Sequence, residues 1–374
     1  MTGIISCTTN GEIRHINPDD DSSYMESQAN GIAPCLLLPK QKLLNAYYEE
    51  LEALMCIGYS RLEATQEAIF ALADKFHVTN YAIKKRLIDL GKDEVAGVYN
   101  WVDDDWVRPF TFKKGSLGPN ETFTIRTDDF LDMIHNNKMN LLMKLYHGQY
   151  VFVENHLVIN DEKYVERSNS GSLILTEYAR FHMDECCLKF KCKSKVIKNN
   201  EIMMFCYLAR GTNIDLSMDI ELSNSNINLA DPDVQLRIDA YNTLMQEVLK
   251  NIKGMEFCEA ISYIMEVQDL QIQDVTDDPH DMSSISYRQF ERYKNGETKK
   301  LTKGVVIAIC LALKLPPVVT QEILKIAGIT LTNSKEDSML LIIISTGRGK
   351  KFDDLNKMLI DRGFAPLTKH REKS

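Results

Sequence analysis

The chain has 374 residues, 44% hydrophobic and 26% charged, with 18 Gly and 10 Pro. That length suits about two to three domains, and the composition excludes collagen-like, low-complexity and wholly disordered classes. The longest apolar stretch, Gly304 to Leu313, falls well short of the roughly 20 residues that cross a bilayer, and Met1 to Thr8 lacks the basic start and apolar core of a secretory leader. Nine cysteines, an odd number, suit free thiols in a reducing compartment, so the expected location is cytoplasmic. A net charge of -9 gives no global attraction for nucleic acid, and any DNA binding must come from a local patch.

The first residues carry turn and cap chemistry at Asn10-Gly11 and in the polar run from Asn17 to Ser23. From Tyr24 to Gly91 the pattern is helical. Leu51, Leu54, Met55 and Gly58 recur at helical steps, as do Ala68, Ala71, Leu72 and Phe76, so each segment offers an apolar stripe to a common core. Asp103, Asp104 and Asp105 punctuate a switch in period. Between Val107 and Cys192, short β-rich runs such as Phe110 to Phe112 and Phe123 to Arg126 alternate with turn signals. Tyr150 to Glu154 and His156 to Ile159 flank Asn155 as a hairpin, while Leu175 to Phe181 suits helix or strand. A polar stretch from Ser223 to Asn228 precedes Asp231-Pro232, a capped helix start, and everything beyond reads as helix. Ser334 to Asp337 caps a further helix, and Phe352, Leu355, Met358 and Leu359 mark a last amphipathic one. The fold class expected is α+β, mostly α.

Residues 257 to 315 carry the strongest local signal. Phe257 to Val267 predicts a helix with Phe257, Ala260, Ile261 and Ile264 inward, Ile272 and Val275 seed a short second, and Ser286 to Gly296 a third that stops at a glycine. On the third, Ile285 and Phe290 face the core, whereas Arg288, Gln289, Arg292 and Lys294 supply donors suited to bases and phosphates. From Arg288 to Lys303 six Lys or Arg stand against two Glu, a balance of +4, but Glu266 to Asp281 holds six acidic residues and no Lys or Arg, a balance of -6. The run from Tyr287 to Glu297, followed by Val305 to Pro316, resembles the Xre/Cro-type helix-turn-helix over about sixty residues. The resemblance implies DNA as a partner, with Arg288 and Gln289 at base edges and Arg292, Lys294, Lys299 and Lys300 on phosphates. It also makes homodimerisation a route to a larger footprint. The acidic stretch opposes the phosphate attraction that such domains use.

Near the N-terminus, Glu26, Ala29 and Asn30, then Leu36, Leu37 and Pro39, resemble the E-x-x-A-N…L-L-x-P helix of ImmA/IrrE-family metallopeptidases, and Ala71 to Gly91 is similar to the helical module that closes that domain. The resemblance gives Glu26 the place of the third zinc ligand. Catalysis also needs two histidines one helical turn apart with a glutamate between them. None of His15, His77, His135, His147, His156, His182, His280 and His370 has a histidine four residues on or a glutamate directly after it. Glu26 therefore reads as a remnant ligand, a helix-start carboxylate, and no cofactor is expected in the chain as given. Zinc would return only with a missing upstream segment.

His182, Cys186, Cys187 and Cys192 lie within eleven residues, and on a helix His182 and Cys186 would share a face, which is zinc chemistry. Adjacent cysteines nevertheless point to different sides of a regular element, and buried thiols are the default. Asn80 to Arg86 offers a second, basic helix after the Thr79 cap. The organisation expected is a truncated peptidase-like helical module over 1–98, an α+β middle domain over 99–222, a linker and helix over 223–253, an Xre-like helix-turn-helix over 254–330 and C-terminal helices over 331–374. The function expected is a DNA-binding or regulator-binding transcriptional regulatory protein, with DNA and a repressor protein as partners and no membrane. A zinc endopeptidase acting on a repressor, and an interaction scaffold without DNA, are the competing classes.

Overall fold

The computed structural model describes residues 32–33, 35–103, 105–118, 121–135, 147–169, 171–193, 219–222, 231–276, 285–298, 301–332 and 334–368. Helices dominate these residues, and the strands form four small antiparallel sheets. No helix among the described residues is long and apolar enough to cross a membrane.

After helical residues at 32–33 and 35–37 come three helices, α1 (Lys40–Cys56), α2 (Arg61–Phe76) and α3 (Asn80–Asp89). Their limits are set locally. Ser60 and Glu63 exchange hydrogen bonds in a capping box at the start of α2, His77 ends it in the left-handed conformation, and Thr79 caps α3 by accepting from the Ala82 N–H. Leu43, Tyr47 and Leu51 of α1 pack with Ala68, Ile69 and Leu72 of α2 and Ile83 and Leu87 of α3 in one buried cluster. The α1 stripe corrects the sequence expectation. It runs through Leu43, Tyr47 and Leu51, whereas Met55 is 43% exposed and Gly58 lies beyond the helix at φ 104. The exposed basic helix expected at Asn80 to Arg86 also needs correction, because Lys84 is fully buried and donates to the carbonyl of Val98 (2.6 Å) and to Asn100 Oδ1 (2.7 Å).

The strands follow, β1 (Asn100–Val102), β2 (Asp105–Val107) and β3 (Glu121–Thr122), then α4 (Thr127–His135) and the hairpin β4 (Tyr150–Val153) with β5 (His156–Ile159). Glu154 and Asn155 both have positive φ, as a two-residue hairpin loop demands. Phe110 to Phe112, expected as strand, is not one. The Phe110 N–H bonds to the carbonyl of Gly97, and Thr111 exchanges backbone bonds with Arg180 and Met183, so this segment pairs with distant loops while its rings fill the core. The run from Phe123 to Arg126 keeps only an isolated bridge, Thr124 to His156, because the Thr122 hydroxyl takes the Thr124 N–H and ends β3. Next come β6 (Val165–Arg167), β7 (Leu173–Leu175), α5 (Glu177–Phe181), α6 (Met183–Cys186), β8 (Phe190–Lys193) and β9 (Asp219–Leu222). The stretch from Leu175 to Phe181 divides at Thr176, which caps α5.

The remaining elements are helical: α7 (Pro232–Asn251), α8 (Phe257–Val267), α9 (Ile272–Thr276), α10 (Tyr287–Lys294), α11 (Lys303–Ala312), α12 (Pro317–Ile326), α13 (Lys335–Thr346) and α14 (Phe352–Ile360). Asp231 caps α7 with Pro at its first position, and Ser334 caps α13. The strands and the C-terminal helices share one continuous buried cluster that extends from Ala96 to Leu367. Arg237 of α7 forks onto Asp161 with two bonds of 2.7 Å, and α4 packs against α13.

Candidate nucleic-acid interface

Helices α8 to α12 form a bundle in which α8 meets α10 and α12, α9 meets α10, and α11 meets α12. The inward residues Phe257, Ala260, Ile261 and Ile264 of α8 are all buried, as are Val275, Ile285 and Phe290. Phe290 is the one buried side chain of α10 and Tyr293 packs half-buried against the same core, so this short helix is held by two aromatic rings. Tyr287, Arg288, Gln289 and Arg292 are exposed and Lys294 is half-buried. The glycine stop is present: Gly296 sits at φ 71, and the Glu297 N–H reaches back to the carbonyl of Arg292 (3.0 Å).

The outward residues differ in what they have left to offer. Gln289 Oε1 accepts from the Ser286 N–H (3.3 Å) and hydroxyl (3.1 Å), so its carbonyl oxygen serves the capping box. An adenine contact uses both ends of the amide. Gln289 in this arrangement presents only its NH2. Arg292 lies 3.7 Å from Glu297 in a solvated pair that holds it weakly. Lys303, counted in the +4 balance, is held by Asp337 Oδ1 at 2.6 Å, and this corrects the local charge downward. Asp337 is buried and also accepts from the Thr332 N–H and hydroxyl. Although burial pushes its carboxyl up, the bonds from Lys303 and Thr332 win and hold it at about 2. Lys299 and Lys300 lie outside the described residues.

The acidic side of the bundle is equally plain. Glu266, Asp269 and Asp274 are exposed around the end of α8 and on α9. Residues 277–284, between α9 and α10, lie outside the described residues. A backbone this close to α11 needs glycine: a Cβ on Gly304 would meet the carbonyl oxygen of Leu367 at 2.1 Å, so the C-terminal segment is seated directly on the start of α11.

Glu26 lies outside the described residues, as does the side chain of Cys192. The expectation that Cys186 and Cys187 diverge is corrected. Cys186 ends a helix and Cys187 is extended, and this change of backbone brings the two buried Sγ atoms to 3.7 Å. Burial raises the Cys187 thiol well above its ordinary value, which opposes the thiolate that zinc needs. The His182 ring stacks on Tyr178 at 4.1 Å, and Cys186 donates to the backbone carbonyl of His182. Among the described residues no three His, Cys, Asp or Glu converge as a metal site. Metal analysis after mild chelation is expected to find no stoichiometric zinc. Zinc that vanished on Glu26→Ala would restore the peptidase reading, and zinc lost on Cys186→Ser or Cys192→Ser would assign it to the middle region.

A cavity of about 230 Å³ lies between the β4–β5 hairpin and α7, lined by Gly148, Asn160, Asp161, Arg237 and Tyr241. Its strongest charges, Arg237 and Asp161, already satisfy one another. Comparison of the chain with protein-family models, with curated proteins and with solved structures finds no match.

Proposed function

We propose that the chain is a transcriptional regulatory protein that docks on DNA through α10, its N-terminal helices being a zinc-peptidase-like module that lacks the metal-binding pair of histidines. The observation that carries this reading is the construction of α10. Its single buried residue is Phe290, and Tyr287, Arg288, Gln289 and Arg292 face solvent in the third helix of a five-helix bundle. Arg288 is the strongest base-edge candidate, because it is exposed and no carboxylate holds it among the described residues. Arg292 and Lys294 suit phosphates, and a repressor protein is the second partner.

The electrostatics set the strength of the interaction. With Lys303 neutralised and Glu266, Asp269 and Asp274 exposed beside α10, binding is weak and steep in salt unless two copies bind together. These same acidic residues favour the second reading, a scaffold that keeps the helical bundle without DNA. Titrating the full chain against a library of random duplexes distinguishes the two. Binding at about 50 mM salt that falls by orders of magnitude at about 200 mM supports the DNA reading. No binding at the lower salt leaves the scaffold.

A further inference from the structure

Away from α10, four aromatic rings form an unbroken run. Phe70 of α2 meets Tyr99 edge-on at 5.4 Å, Tyr99 lies 4.7 Å from Trp106, and Trp106 meets Trp101 edge-on at 5.0 Å. Trp101 and Trp106 are cross-strand partners in the β1–β2 hairpin. Tyr99 sits at φ 54, a left-handed conformation that strains a bulky residue. It is held there by Gln66 Oε1, which accepts from its N–H (3.4 Å), and by Asn80 Nδ2, which donates to its hydroxyl (3.4 Å). The ladder is fixed from beneath by α2 and α3, yet Phe70 remains 37% exposed and Trp106 49% exposed. Two exposed rings, joined through half-buried Tyr99 and flanked by half-buried Trp101, on a rigid support mark an interaction surface.

Charge decides what the surface suits. On α2, Glu67 and Asp74 stand three residues before and four after Phe70 and share its face, and exposed Asp105 directly precedes Trp106. One cation follows β2, Arg108, exposed and only loosely paired with Glu154 at 3.8 Å, so it offsets part of the charge of these three carboxylates. Nucleobases also stack on aromatic platforms, but their phosphates are repelled by this acidic edge. A guanidinium satisfies both features, since it stacks on ring faces and forks onto carboxylates. We propose that the Phe70, Tyr99, Trp106 and Trp101 ladder, edged by Glu67, Asp74 and Asp105, is a docking surface for an arginine-bearing segment of a partner protein. This surface is separate from α10 and stands whether or not α10 reads DNA.

The chain has two tryptophans, and both are in the ladder, so tryptophan emission reports on this site alone. The full chain is titrated with a capped Arg-Gly-Arg peptide, with its Lys-Gly-Lys counterpart and with an oligothymidylate. The arginine peptide is expected to change the emission saturably, the lysine peptide to bind about fivefold more weakly, and the oligothymidylate to leave the emission unchanged. The paired surface variant Glu67→Gln, Asp74→Asn is expected to weaken the arginine peptide about fivefold with an unchanged circular dichroism spectrum. Trp106→Ala is expected to abolish the response of Trp101. The proposal is overturned if the arginine peptide gives no saturable change, if the oligothymidylate binds as well or better, or if the charge-neutral variant binds normally. Emission that shifts with protein concentration alone also overturns it, by assigning the ladder to a second copy.

Discussion

Asp337→Ala is expected to lower the stability of the chain by about 1 to 3 kcal/mol, because it removes a buried carboxylate that gathers three hydrogen bonds beside the start of α11. The Asp337 carboxylate takes the Lys303 ammonium at 2.6 Å and the Thr332 N–H and hydroxyl at 2.7 and 2.6 Å. Lys303 is partly exposed and Thr332 exposed, and both rehydrate when the carboxylate is removed, so the loss comes chiefly from the unclamped start of α11. Asp337→Asn keeps an acceptor and is expected to lose less. The same group contributes to the loss of stability in acid. Its folded pKa of about 2 lies below its ordinary 3.8, so between these values the unfolded chain binds more protons and stability rises with pH. The contribution is present above about pH 4 and is lost as pH falls through 2. Asp161, pushed up by burial but held lower overall by Arg237, acts in the same direction. Thermal unfolding of wild type and Asp337→Asn across this window should show a shallower acid loss in the variant, and identical slopes would remove Asp337 from the account.

The second large effect is expected at Lys84. Lys84→Ala opens a cavity and leaves the Val98 carbonyl and Asn100 Oδ1 without their donor, a loss of about 3 to 5 kcal/mol. Lys84→Met restores the volume and not the bonds, so it is expected to recover only part of this. Burial depresses the ammonium well below its ordinary 10.5. Between the depressed value and 10.5 the unfolded chain binds the extra proton, so stability rises with pH across that interval and the variant lacks the rise. The comparison is made below about pH 9, because buried Cys187 and Cys310, raised above their ordinary 9.0, and Tyr47 and Tyr150, raised above their ordinary 10.0, weaken the fold at higher pH. Chemical denaturation at several alkaline pH values checks the difference. A wild-type curve parallel to that of Lys84→Met would contradict it.

What the sequence made legible is what neighbouring residues decide. Helix α8 runs over the expected Phe257 to Val267 because its apolar spacing and its first-turn carboxylates are local signals, and Ser286, Ser334, Asp231 and Gly296 act within a turn of their own helices. The β4–β5 hairpin was legible for the same reason. Phe110 to Phe112 misled because its backbone partners, Gly97 and Arg180, are set by tertiary packing and not by alternation. Lys84 carries the residue type of an exposed helix face, and nothing beside it reveals the carbonyls of a later segment. The pairing of Lys303 with Asp337 spans 34 residues, so the count over Arg288 to Lys303 included a charge at the start of α11 that the fold neutralises. In the candidate interface, the outward set of α10 was legible from helical spacing, whereas the capping role of Gln289 depended on where the helix begins.

The most direct test of the central claim is the salt dependence with which the full chain binds a duplex that it retains, measured for wild type beside Arg288→Ala and Arg292→Ala. The account predicts that Arg288→Ala costs about 1 to 3 kcal/mol and relaxes sequence preference at one position, while Arg292→Ala weakens all sequences alike and reduces the salt slope by about one. Binding curves for the two variants that superimpose on wild type would contradict it, as would the absence of any complex at low salt.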